Sequence, residues 1–168
     1  MTREKLEKYF EKYYSLCYRV AFTQVKAHAD AEDVAQEVFM RRLRYQPKFA
    51  CLEHEKAWMI RAALNLSRDF IKSKWRSATV GFDAVAEAEK SYFHVPHLRE
   101  DETLWMILQL PERYRNCLYL FYYEDYSIEE ISGLLEMPKN TVKTNLRRGR
   151  EELKKAIQSE EEDRRTGK

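Results

Sequence analysis

Apolar residues recur every three or four positions along most of the chain, the spacing that puts them on one face of an α-helix. A first helix is predicted from about residue 3 to residue 26. Its apolar face comprises Leu6, Phe10, Tyr13, Cys17 and Val20. A second helix is predicted to begin at Asp30, whose carboxylate can cap its first turn, and to end near residue 45. Val34 and Val38 would face inward, so the chain is expected to open with two amphipathic helices.

A third long helix is predicted over residues 55–76. Its apolar arc comprises Met59, Ala63, Leu66 and Phe70. The opposite edge, four polar residues at i, i+4, i+7 and i+11, comprises Arg61, Asn65, Arg68 and Lys72. Three positive charges on one edge can follow a phosphate backbone, although an ordinary solvated helix face would show the same pattern.

The helical periodicity stops at about residue 77 and returns near residue 100. Residues 79–104 hold two basic and six acidic residues, whereas residues 1–78 hold sixteen basic and ten acidic ones. This acidic stretch includes Gly81 and Pro96 and is typical of a linker. The sequence therefore predicts an all-α protein of two small helical domains joined by an acidic linker. The predicted domains are a three- or four-helix bundle over 1–77, a linker over 78–100, a helix-turn-helix domain over 101–158 and a charged tail over 159–168.

The second domain carries the pattern of a helix-turn-helix. Ser127 and Glu130 are placed as a capping box, Ser at the cap and Glu three residues later. Glu136-Met137-Pro138 then stops one helix, and Pro138 is placed to open the next. The inward stripe of that last helix comprises Val142, Leu146, Leu153 and Ile157. Gly149 falls within the stripe, where its missing side chain would let another helix approach closely.

The outward face of this last helix is basic. Between Lys139 and Arg150 there are five basic residues and no acidic one. Arg side chains on a helix in the major groove can pair with guanine edges, and Lys and Thr can hold phosphates. The residues expected to contact DNA are Lys139, Asn140, Lys143, Thr144, Arg147 and Arg148.

The remaining composition argues against catalysis, a metal centre or a membrane anchor. The three cysteines are odd in number and far apart, which indicates no disulfide framework. His94 and His97 have no matched ligand pair beside them, and no phosphate-binding glycine loop or nucleophile with a base is present. No stretch reaches the ~18 apolar residues of a membrane span, and no signal-peptide core opens the chain. We expect a cytoplasmic protein that is not an enzyme and has no cofactor, no metal and no membrane insertion.

Both halves of the chain resemble a known family. Leu-Pro-Glu-Arg-Tyr-Arg from residue 110, Tyr-Ser-Ile-Glu-Glu-Ile from 126 and Asn-Thr-Val-Lys-Thr from 140 resemble region four of extracytoplasmic-function sigma factors, which are bacterial transcription initiation factors. Asp-Ala-Glu-Asp-Val-Ala-Gln-Glu-Val-Phe from residue 30 and Trp-Met-Ile-Arg-Ala-Ala-Leu-Asn from 58 resemble region two. The resemblance covers roughly residues 3–157, with the two regions in the right order.

The resemblance implies a different binding role for each of the two regions. Region two would bind core RNA polymerase through the polar face of the second helix, here Asp33, Gln36 and Glu37. The third helix, at Arg61 and Asn65, and the loop from Lys48 to Glu55 before it would capture an unpaired base of the minus-ten element of promoter DNA. Region four would recognise the minus-thirty-five element through the basic helix. An anti-sigma factor is a further partner that the resemblance implies.

The sequence also departs from the family, and it leaves other functions open. The loop from Phe49 to His54 lacks the Phe-Arg-Gly sequence common there, and Asn145 stands where a basic residue is usual.

A homodimeric helix-turn-helix regulator of duplex DNA is one alternative, but it leaves the first domain unexplained. An adaptor that binds only proteins would predict a mixed-sign helix over 139–150, which the sequence does not show. Binding to core RNA polymerase distinguishes a sigma factor from the regulator.

Overall fold

The structure, a computed structural model, describes residues 2–77 and 101–167, and these residues form seven α-helices in two compact units. The first unit contains α1 (Arg3–Val25), α2 (His28–Tyr45) and α3 (Leu52–Ser77). The second contains α4 (Glu102–Gln109), α5 (Glu112–Tyr122), α6 (Ile128–Leu135) and α7 (Lys139–Thr166). The predicted all-α fold of two small helical domains is therefore confirmed. The domain bounds stay predictions, and the predicted linker, with His94 and His97, lies outside the described residues.

In the first unit, each of the three helices packs against the other two. The apolar stripes meet in a core whose largest fully buried side chains are Val20, Phe22, Val38, Met59 and Ile60. Leu6 and Phe10, which were predicted on the inner face of α1, lie in its first half and are 37% and 40% exposed. The core is thus concentrated toward the C-terminal part of α1.

The start of α2 corrects one sequence prediction. The helix begins at His28 and is capped by Ala27, so Asp30 lies inside the first turn and the prediction that it is the N-cap was wrong. Its carboxylate is instead 2.7 Å from Nζ of Lys74, near the end of α3. The partner that fixes Asp30 is therefore 44 residues away in the sequence.

In the second unit, the capping box that opens α6 forms as predicted. The Glu130 backbone N–H donates to Oγ of Ser127 at 3.2 Å, and the Ser127 N–H donates to Oε2 of Glu130 at 2.8 Å. Two of the N–H groups that a helix start leaves unpaired are satisfied in this way. The capping box fixes where the first helix of the helix-turn-helix begins.

α7 packs closely against α5 at Gly149. A Cβ atom at this position would lie 2.9 Å from Cδ1 of Leu118 and 3.2 Å from Cβ of Tyr114. The predicted close approach is therefore confirmed, and its partner helix is α5. Val142 and Leu146 are buried on the same stripe, whereas Ile157 is exposed.

α7 continues through most of the predicted charged tail to Thr166. Near this end, Arg164 donates to both carboxylate oxygens of Glu102 at 3.1 Å.

The three cysteines are free and differ in exposure. Cys17 and Cys117 are buried, and Cys51 is exposed. Burial raises the pKa of the Cys17 thiol to about 12 and also raises that of Cys117. Within the described ranges, no helix is long and apolar enough to cross a bilayer. The same part of the chain contains no group of three or more side chains that could hold a metal ion.

Candidate nucleic-acid interface

The turn between α6 and α7 is held by a hydrogen bond between Ser132 and Met137. Glu136 ends α6 in the left-handed conformation, with φ at 52°, and Pro138 precedes the first turn of α7. The Ser132 hydroxyl donates to the backbone carbonyl of Met137 at 2.6 Å. Ile131, from α6, is fully buried. A fixed turn holds α7 at one angle to α6, which a helix that enters a DNA groove requires.

The outward face of α7 has the predicted residues. Lys139, Asn140, Lys143, Arg147 and Arg148 are exposed, and Thr144 is half-buried. They follow one another at helical spacing over the first three turns, the part of a recognition helix that reaches base edges. The structure therefore brings the six predicted DNA contacts onto one accessible face.

Asn145 and Arg150 lie next to that face but contact other residues of the protein. Asn145 is buried, with its Nδ2 3.7 Å from Sδ of Met137, so it packs against the turn. Arg150 donates through Nε to the Tyr122 hydroxyl at 2.7 Å and lies over the rings of Phe121 and Tyr122. These two contacts were not predicted from the sequence, because the partner residues lie outside α7.

Two of the exposed cations pair with carboxylates of the same unit. Nζ of Lys139 is 2.7 Å from Glu129 of α6, and Arg147 is 3.3 Å from Glu151. The hydrogen bond from Lys139 and its charge lower the pKa of Glu129. Because both pairs are solvent-exposed, these cations can exchange their partners for phosphate oxygens at small cost.

The polar edge of α3 forms a second exposed surface, in the first unit. Its four predicted members, Arg61, Asn65, Arg68 and Lys72, are all exposed. On the opposite side of the helix, Met59 and Ala63 are fully buried. The edge is therefore accessible along three turns of the helix.

The polar face of α2 is a third surface. Asp33 and Gln36 are exposed, and Glu37 is half-buried with its Oε1 2.8 Å from Nε of Arg41. Burial and the charge of Glu32 raise the pKa of the Tyr14 phenol in α1. A hydrogen bond between Tyr14 and Gln36 opposes this rise. Gln36 thus remains exposed although it lies beside Tyr14 of α1.

Comparisons with known proteins agree with this geometry. Residues 9–77 match the Sigma-70 region 2 family, and residues 102–153 match the family described as Sigma-70, region 4. Among similar proteins, the ECF RNA polymerase sigma factor SigW of Bacillus subtilis is 33% identical over 162 residues, which cover 89% of this chain and 84% of that protein. SigM of the same organism is 26% identical, over 89% of this chain and 93% of that protein.

A solved structure shares the fold. The sigma factor RpoE of Bartonella quintana, determined in complex with the anti-sigma factor NepR, matches with a TM-score of 0.67 at 16% identity. The match covers 92% of this chain and 98% of that one. The two matched regions and the identity to SigW show that the chain belongs to the ECF family of RNA polymerase sigma factors, which direct promoter-specific transcription initiation.

Proposed function

We propose that the chain binds core RNA polymerase through the polar face of α2 and binds promoter DNA through α3 and α7. The observation that carries this proposal is the outward face of α7, which has four exposed basic residues, Lys139, Lys143, Arg147 and Arg148, and no acidic residue between them. The positive charges on this face attract a polyanion, and the exposed carboxylates that pair with two of them can be exchanged for phosphate oxygens. The chain acts by binding alone, in the cytoplasm with the polymerase, and the reaction is catalysed by the polymerase.

The two DNA surfaces and the α2 surface differ in charge, which supports separate partners. α2 presents Asp33 and Glu37 on an otherwise basic unit, and DNA would repel these carboxylates. A basic protein surface suits them better. The likeness to a sigma factor solved with an anti-sigma factor supports an anti-sigma factor as a further partner.

Run-off transcription tests the proposed function directly. Purified core RNA polymerase is incubated with a library of bacterial promoters, with and without the protein. We expect discrete transcripts from a subset of promoters only when the protein is present. If the protein adds no transcript and does not bind core polymerase, the proposed function is wrong, and a free-standing helix-turn-helix regulator is favoured.

Arg147→Ala and Arg148→Ala are expected to weaken recognition of the upstream promoter element. Loss of a base contact should cost about 1–3 kcal/mol and relax the preference at one position. Loss of a phosphate contact should lower affinity for all sequences and reduce the salt slope by about one unit. Both are measured by titrating labelled duplexes at several salt concentrations. Lys154→Ala, which removes a positive charge from an exposed position farther along α7, is the matched control. Parental affinity and selectivity in both Arg variants would show that α7 does not read the promoter.

Asn65→Ala is expected to reduce promoter opening more than initial binding. The exposed amide of Asn65 lies between Arg61 and Arg68, where it can hydrogen-bond a base that has left the stack. Permanganate reactivity of unpaired thymines measures opening, and binding to closed duplex serves as the internal control. Unchanged reactivity in a folded variant would remove Asn65 from the site.

A further inference from the structure

A buried carboxylate joins the three helices of the first unit beside the loop before α3. Glu55 is only 7% exposed, although it lies in the first turn of α3. The hydroxyl of Tyr9 donates to its Oε1 at 2.7 Å, and that of Tyr13 lies 3.4 Å from its Oε2. A carboxylate removed from water needs several donors, and here α1 supplies two of them.

Arg42 of α2 completes the cluster and connects it to the loop. Its Nε donates to Oε1 of Glu55 at 2.9 Å, and a second guanidinium nitrogen lies 2.8 Å from the same oxygen. The guanidinium carbon is also 5.2 Å from the ring centroid of Phe49, within the range of a cation–π contact. The Phe49 ring in turn lies 6.0 Å from the ring of Trp58. Arg42 therefore holds the first turn of α3 and one loop residue at the same time.

The rest of this loop, residues 46–51, is largely exposed. Lys48, Ala50 and Cys51 are exposed, and Leu52, which follows directly, is 62% exposed. Phe49 lies half-buried between them. The positions of its exposed neighbours consequently depend on where the Phe49 ring is anchored.

We propose that Arg42 and Glu55 are positioning residues, which hold the loop of residues 46–51 in the geometry that selects an unpaired promoter base. This inference rests on the proposed function, because the loop leads directly into α3, whose edge at Asn65 is assigned there to the melted DNA. The carboxylate of Glu55 is buried and of the wrong charge to touch DNA, so it acts through Arg42.

The Arg42–Glu55 ion pair is better explained by the contact geometry that Arg42 provides than by a contribution to stability. Apolar residues of similar volume often replace a buried ion pair without loss of stability. A contribution to stability is therefore not enough to explain why Arg42 and Glu55 stand at these positions. Arg offers a planar fork that fits a carboxylate on its edge and an aromatic ring on its face, and Lys offers neither. The side chain of Arg42 uses both of these contacts.

Arg42→Lys tests the inference because it keeps the charge and removes the planar contacts. We use a promoter set in which each base of the melted segment is varied, and we measure open-complex formation with core polymerase. At one position the variant should lose at least about 5-fold of the parent's preference between bases, the lower end of what one base contact supplies. Its affinity for core polymerase should remain parental. Arg3→Lys is the matched control, because Arg3 also donates to a Glu at 2.9 Å but is exposed.

Phe49→Leu is the second variant and decides the question if Arg42→Lys does not fold. It keeps an apolar side chain in the loop but removes the ring beneath the guanidinium, and it should weaken the preference at the same position. A folded variant that kept parental preference at every position would overturn the inference. An equal loss on all promoters would also overturn it, because that result indicates a role in stability alone. A parent protein that started no transcript with core polymerase would instead overturn the proposed function, and this inference with it.

Discussion

Leu118→Ala is expected to destabilise the second unit by about 2–5 kcal/mol, because it removes a fully buried side chain and leaves a cavity. Leu118 is 0% exposed and lies where α5 meets α7. Hydrogen exchange of the backbone amides of residues 114–122 measures the effect in this unit alone, which whole-chain melting of a two-unit protein would not. Parental protection in the variant would show that α7 does not pack on α5 at this point.

Gly149→Val should destabilise the same unit by about 1–3 kcal/mol, for the opposite reason of overpacking. Gly133→Ala is the control, since a Cβ there would meet nothing within 4 Å, and it should stabilise α6 by up to about 1 kcal/mol. The double variant Leu118→Ala with Gly149→Val should cost less than the sum of the single changes. The smaller residue at 118 makes room for the new side chain, and contacting residues typically couple by about 0.5–3 kcal/mol. Strict additivity would contradict the close approach of the two helices.

Gln36→Ala combined with Glu37→Ala is expected to lower the affinity for core polymerase at least about 10-fold, or about 1.4 kcal/mol. Val34 and Val38 face the core, so the polar side chains can meet a partner without disturbing it. Truncating a desolvated charge at an interface typically costs about 2–5 kcal/mol, whereas an exposed rim pair contributes about 0–1 kcal/mol. Titration of labelled protein with core polymerase measures the change, and circular dichroism confirms the helices.

A matched double variant separates docking from a general loss of charge. Gln158→Ala with Glu161→Ala removes one amide and one carboxylate from an exposed part of α7, and it should leave polymerase affinity unchanged. DNA binding by α7 should be unaffected in both double variants. If a folded Gln36→Ala, Glu37→Ala protein bound core polymerase as the parent does, the α2 surface would not be the docking site.

The features that the sequence predicted well depend on neighbouring residues. The capping box at Ser127 and Glu130 closes within four residues, so its pattern is complete in the local sequence. The stripe that contains Leu146 and Gly149 follows helical periodicity, which identifies the inner face whatever packs on it. The exposed face of α7 followed from the same periodicity. The partner of Gly149, in contrast, became known only from the fold.

The features that the sequence did not predict depend on distant partners. Asp is a residue type that often caps helices, so Asp30 was predicted as the N-cap of the second helix. In the structure it lies within the first turn of α2, and its carboxylate forms an ion pair with Lys74 of α3. The third helix was predicted to begin at residue 55, but the burial of Glu55 was not predicted, because it depends on Tyr9 and Arg42 from two other helices. Local propensity contains no information on such contacts, since the residues that make them come together only when the helices pack.

The unequal burial of the cysteines has a consequence for chemical labelling. Thiolates are the reactive form, and the buried Cys17 thiol has its pKa raised to about 12, so it stays protonated and inaccessible at neutral pH. Cys117 is buried as well, with its pKa also raised. A maleimide dye added to the folded native sequence will therefore attach at Cys51, two residues from the Phe49 ring. The chain thus has a natural attachment point for a fluorophore within the loop that precedes α3, and no cysteine has to be introduced or removed.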